Sequence, residues 1–177
     1  MKEKQLEQQN DCLGVDIGGV LIDRVADGTD TSFFSKRYLE TPAVADGFET
    51  LARLARERFG ERVYIVSKCG PTIQAKSREW LVHRRFTEIT GIPPERVRFC
   101  RTREEKAPIC KRLGITHFID DRYDVLSYMK TVPHRFLFQP RDKDRESAKN
   151  EPLAGLQVVD SWAEVAKALL DQRASPS

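Results

Sequence analysis

Short apolar runs alternate along the chain with stretches whose apolar residues recur at helical spacing. Leu13–Val15, Arg62–Ser67, Arg96–Cys100, Thr116–Asp120, His134–Gln139 and Leu156–Asp160 read as strands. Several are continuous apolar runs, the pattern of strands covered on both faces. Phe48, Leu51, Leu54, Ala55 and Phe59 predict a helix stopped by Gly60. A second helix is expected over residues 72–90, carrying Ile73, Trp80, Leu81 and Phe86, and a third over 106–113 with Gly114 as its cap. A fourth follows Ser161, with Glu164 completing a capping box.

This alternation predicts an α/β protein: a three-layer Rossmann-like fold whose mostly parallel sheet carries helices on both faces. Such sheets bind ligands at the carboxyl ends of their strands, where the strand order reverses. Residues 12–172 are expected to form one domain, with residues 1–11 and 173–177 as flexible tails and residues 24–46 as a small flap with a short helix around 33–38. The charged stretch Arg141–Pro152 is expected to be a mobile surface loop.

Composition narrows the class. With 30 basic and 27 acidic residues among 177 the chain is only mildly basic, at net charge +3. That permits an anionic substrate. There is no basic stripe with interleaved aromatics to suit nucleic acid. Cys12, Cys69, Cys100 and Cys110 form no C-x-x-C pair and the three histidines are scattered, which disfavours zinc. Cys12 and Cys100 read as small core residues. The leading residues lack the apolar segment of a signal peptide, and no run is long enough to span a membrane; with reduced thiols, this predicts a cytoplasmic protein.

The strand ends carry the chemistry. The first strand meets Asp16, followed at once by Gly18 and Gly19; the second ends at Ser67 with Lys68 after it; the fourth ends in Asp120-Asp121, with Asp124 beyond. Lys106 opens the helix before that fourth strand. Taken singly, each has an ordinary reading as a turn former, helix cap or surface lysine. The adjacent acids are more telling, because their repulsion calls for a cation.

The order strand–Asp, strand–Ser, Lys, strand–Asp-Asp resembles the haloacid dehalogenase-like (HAD) superfamily of phosphatases, from about Leu13 to Leu170. The resemblance places Asp16 as the nucleophile, in the family's hydrophobic-D-x-x-G-V-hydrophobic context. It places Ser67 as the second motif's hydroxyl, Lys106 as the third motif's basic residue, and Asp120 with Asp121 as the acidic fourth motif. It implies a magnesium-dependent phosphomonoester hydrolase that works through an aspartyl-phosphate. Asp16, Asp120, the Gly18 carbonyl and either Asp121 or Asp124 would serve the metal. Gly18, Gly19, Ser67, Lys68 and Lys106 would serve the phosphate. On this reading Lys106 serves the phosphate and not the fold.

The chain departs from the family pattern at Gly18, where a second Asp commonly acts as general acid and base. Losing that proton donor favours leaving groups that need little protonation. It also motivates a rival reading, a weak or inactive relative that binds a phosphorylated ligand or protein partner. A dehalogenase is disfavoured, since it would have no use for the acidic pair. Only residues 17–66 lie between Asp16 and Ser67, too few for a large cap. An open, nearly capless site suits a nucleotide, a sugar phosphate or a macromolecule-borne phosphate, or closure by a second subunit.

Overall fold

The structure, a computed structural model, describes residues 10–24 and 35–171. Residues 25–34 of the expected flap and nearly all of both expected tails lie outside them; the short helix expected around 33–38 falls partly among these, and the helical piece described there is a single 3₁₀ turn, Tyr38–Glu40. Of the N-terminal stretch, Asp11 is held: its carboxylate accepts from Arg58 at 2.7 Å.

Six strands form one sheet: β1 (Leu13–Val15), β2 (Val63–Lys68), β3 (Val97–Cys100), β4 (His117–Asp120), β5 (His134–Phe138) and β6 (Leu156–Val159). Their order is β3-β2-β1-β4-β5-β6, and every pairing is parallel. The chain steps outward from β1 to β3, then returns to the other side of β1 with β4. The switch point therefore lies between β1 and β4.

Alternating strand residues feed two cores. Leu13, Val15, Ile65, Ile119, Phe136 and Phe138 face one; Cys12, Val66, Phe118 and Leu137 face the other. The first core is closed by α1 (Gly47–Leu54), α2 (Pro71–His83), α3 (Phe86–Thr90) and α7 (Trp162–Leu169), through Phe48, Trp80, Phe86 and Trp162. The second is closed by α4 (Lys106–Leu113), α5 (Tyr123–Tyr128) and α6 (Asp142–Asn150), through residues such as Cys110, Leu126 and Ala148. The expected three-layer Rossmann-like fold, with helices on both faces, is thus the fold observed. Gly14 is required where β1 meets β4, because a Cβ there would lie 2.5 Å from the Phe118 ring. The two buried indoles find acceptors: Trp80 Nε1 donates to Thr41 O at 2.8 Å and Trp162 Nε1 to Val20 O at 3.0 Å.

Four local expectations are corrected. The helix expected over 72–90 is two helices, because Arg85 takes a left-handed φ of 57°. The turn brings Phe86 edge-on to Phe48, with ring centroids 5.0 Å apart. The helix begun at Gly47 widens over Ala55–Phe59, and Gly60 N donates back to Ala55 O. Arg141–Pro152, expected as a mobile loop, contains α6. Asp142 and Asp144 in its first turn complement the helix dipole, and buried Asp144 accepts from Tyr123 N at 3.0 Å. Finally, Ser161 caps α7 as expected, but the Glu164 carboxylate accepts from Asp160 N, one residue before the position a capping box uses. Among the described residues no helix is long and apolar enough to cross a membrane.

Candidate active site

β1 ends one residue before Asp16, whose N–H donates to Ile119 O of β4 at 3.0 Å. That bond ties the end of β1 to the end of β4. Asp120, the last residue of β4, is fully buried beside it. Lys106, the first residue of α4, enters from the second core's face and is also buried. Its ammonium lies 3.0 Å from Asp16 Oδ1 and 2.8 Å from Asp120 Oδ2. The other Asp120 oxygen accepts from Arg122 N at 3.0 Å.

Carboxylate oxygens of Asp16, Asp120 and Asp121 all lie within 4.8 Å of one another. Two cations face these three acids: Lys106, and Arg24, whose guanidinium is 2.7 Å from Asp121 Oδ2. Formal charge is therefore −1. Burial, followed by the nearby Asp16 charge, raises the pKa of Asp120 well above the ordinary carboxylate range despite Lys106. The same two causes raise that of Asp121, against the pull of Arg24. Burial works hardest against the Lys106 charge, but Asp120 and Asp16 together outweigh it and raise that pKa. A divalent cation would relieve the carboxylate repulsion, and three hard oxygen donors fit magnesium.

All eight residues expected at the site (Asp16, Gly18, Gly19, Ser67, Lys68, Lys106, Asp120 and Asp121) line one pocket of about 260 Å³. Ser67 is buried near the end of β2, and its hydroxyl makes no hydrogen bond among the described residues, which leaves it for a ligand. Lys68, the next residue, is exposed at the rim.

Three expectations change. Asp124 is not in the carboxylate cluster; its Oδ2 accepts from Arg103 at 2.8 Å. Gly19 cannot offer its amide to phosphate in this geometry, because that N–H donates to Ile22 O at 2.9 Å. It is glycine for another reason: at φ +73° a Cβ would sit 2.5 Å from Asp121 Oδ2 and 2.9 Å from Arg24 Nε. Gly18 is the opposite case, with nothing within 4 Å of where its Cβ would stand. Nor does Lys106 serve the phosphate alone, since its buried ion pairs make it part of the fold.

Sequence reasoning did not single out Arg24, Arg103, Arg122, Arg141 and Asp144, which also line the pocket. Arginines in loops carry no spacing signal. Asp144 was hidden in a charged stretch with no apolar period.

The six-stranded parallel sheet of this order is a three-layer Rossmann-like fold, with a carboxylate pair facing a buried lysine at its switch point. No protein-family model and no curated protein matches the sequence. Among solved structures, the chain is similar to D,D-heptose 1.7-bisphosphate phosphatase from B. bronchiseptica complexed with magnesium and phosphate. The TM-score is 0.63 at 16% identity, over 92% of this chain and 99% of that one.

Proposed function

We propose that this chain is a nearly capless, magnesium-dependent phosphatase that hydrolyses a phosphomonoester through an aspartyl-phosphate. The observation that supports this best is the convergence of Asp16, Ser67, Lys106 and Asp120 on one pocket at the switch point. The solved structure of similar fold holds magnesium and phosphate, which agrees with it.

In this mechanism an Asp16 carboxylate oxygen attacks phosphorus in line; its bond to phosphorus forms as the bond to the leaving oxygen breaks. Lys106 holds Asp16 Oδ1, leaving Oδ2 for the attack. Ser67 donates to a phosphoryl oxygen, and Lys106 balances charge that develops on the phosphoryl group. Magnesium, held by Asp16, Asp120, Asp121 and the Gly18 carbonyl, would offset the repulsion between nucleophile and phosphate. Water then hydrolyses the acyl-phosphate and restores Asp16. With glycine at position 18, the leaving oxygen takes its proton from solvent, which favours aryl, acyl or anomeric phosphates.

Gly18 also supports the rival reading, a phosphate-binding relative with little turnover. A panel of phosphorylated metabolites, nucleotides and phosphopeptides, assayed with magnesium and again with chelator, separates the two. Turnover that needs magnesium and vanishes in Asp16→Asn supports the phosphatase. Magnesium-dependent binding of vanadate without turnover of any compound supports the binder.

A further inference from the structure

We infer that Arg24 is an exchangeable counter-ion: it pairs with Asp121 in the metal-free site and turns to the phosphoryl oxygens once Asp121 serves magnesium. This rests on the phosphatase reading and gives its pocket a further phosphate-binding residue. Arg24 stands on the stretch that follows β1, and its Nη2 lies 2.7 Å from Asp121 Oδ2. Gly19 makes that contact possible. A Cβ on it would stand 2.5 Å from Asp121 Oδ2 and 2.9 Å from Arg24 Nε, so the pair fills the notch left by the missing side chain. Both residues line the pocket that holds Asp16 and Ser67.

The two cations of the inner site differ in how firmly they are held. The Lys106 side chain is 3% exposed and bridges two carboxylates, Asp16 and Asp120. The Arg24 side chain is 24% exposed and its ion pair among the described residues is with Asp121 alone. A partly exposed pair of this kind is held weakly, so exchanging it costs little. Asp121 is also one of the three acids whose oxygens lie within 4.8 Å of one another. A divalent cation among them draws on the same carboxylate that Arg24 holds, and the ion pair loosens. Charge then decides where the guanidinium goes. The three acids with Lys106 and Arg24 carry −1, and a divalent ion brings the group to +1. Without Arg24 the metal-loaded group would be neutral. A phosphate dianion therefore meets net positive charge only if Arg24 stays, and its planar fork matches phosphoryl oxygens.

Calorimetry on the full chain tests this, with magnesium chloride and inorganic phosphate as the probes. Arg24→Gln should bind magnesium about tenfold more tightly, because a competing cation is gone. At saturating magnesium it should bind phosphate about tenfold to a hundredfold more weakly, the worth of one charge-assisted contact. A merely structural Arg24 would behave otherwise: its loss would misplace Asp121 and weaken both. Asp121→Asn should bind phosphate without magnesium about tenfold better than wild type, because Arg24 is released, and the gain should vanish when Arg24→Gln is added. A gain that survives in the double variant reflects only the lost acidic charge and overturns the inference. So does magnesium binding that Arg24→Gln weakens or leaves unchanged, or phosphate binding with magnesium that it leaves unchanged. Turnover of p-nitrophenyl phosphate is followed alongside. Affinities that shift as expected in a protein without turnover keep the exchange and remove the phosphatase reading. Turnover in a protein whose magnesium affinity Arg24→Gln does not raise does the reverse.

Discussion

On the proposed phosphatase mechanism, replacing Gly18 with aspartate should supply a proton donor for the leaving group. The position accepts the change: a Cβ meets nothing within 4 Å, φ lies outside the left-handed region, and the residue is exposed on the pocket wall. Backbone cost is therefore small, and loss of glycine's unfolded-state freedom works slightly in favour of the folded protein. The new carboxylate joins a cluster whose formal charge is already −1, so its neighbours favour its protonated form, the form a general acid needs. General acid catalysis contributes about 10²–10⁴-fold, or about 3–5 kcal/mol of barrier. All of that should appear with poor leaving groups. The kcat/KM for an alkyl phosphate should rise by about that factor, while p-nitrophenyl phosphate, whose leaving group needs little help, should change by less than about tenfold. Initial rates across aryl and alkyl phosphates, plotted against leaving-group pKa, should show a steep wild-type slope that Gly18→Asp flattens. Circular dichroism must show an unchanged fold, and Asp16→Asn must be dead to exclude a contaminating phosphatase. Equal wild-type rates on alkyl and aryl esters, with chemistry shown to be rate-limiting, would refute the reasoning and mean that another group supplies the proton.

Asp120→Asn should weaken magnesium binding and activity strongly; unchanged affinity by calorimetry in both Asp120→Asn and Asp16→Asn would remove the metal from this site. Lys106→Met strands two buried carboxylates, so urea unfolding at pH 7 without magnesium should show a loss of about 3–5 kcal/mol, and an unchanged midpoint would mean the ion pairs do not contribute. Gly19→Ala forces a left-handed alanine into the Arg24–Asp121 contact, and a stability loss of about 1–3 kcal/mol with weaker magnesium binding is expected. His117 is held neutral by burial first and Arg58 second, which lower its pKa from 6.5 to about 3. The unfolded chain therefore takes up a proton near pH 6.5 that the folded protein refuses. Stability should fall as pH drops from 6.5 toward 3, and His117→Phe should lessen that slope in urea titrations run at several pH values.

The sheet and the inner site were legible because both are written in local sequence. Two central apolar runs stop at carboxylates that line the pocket, Val15 before Asp16 and Ile119 before Asp120, and parallel strands bring those stops to one edge. What was not legible depends on partners distant in sequence. Nothing around Arg85 announces a break; the distant ring of Phe48 is what Phe86 turns to meet. Helix α6 has almost no apolar period, and its buried residue is an aspartate held by Tyr123. Arg24 gains meaning only beside Asp121, and Gly19 only when both are in place.

The central position of β1 has a consequence for synthesis. β2 follows β1 within about fifty residues, but β4, its other neighbour, is about a hundred residues downstream, where Thr116 and His117 donate to Cys12 O. Until the ribosome has released that stretch, one long side of an almost wholly apolar strand has no hydrogen-bonding partner. Loop closure over such a distance is slow compared with the pairing of near neighbours. The nascent chain thus carries an open sheet edge for most of its elongation, which makes β1 the segment most exposed to chaperones or to mispairing. The same event that covers it, the docking of β4, brings Asp120 to Asp16, so the chain acquires its paired carboxylates only when it ceases to be sticky.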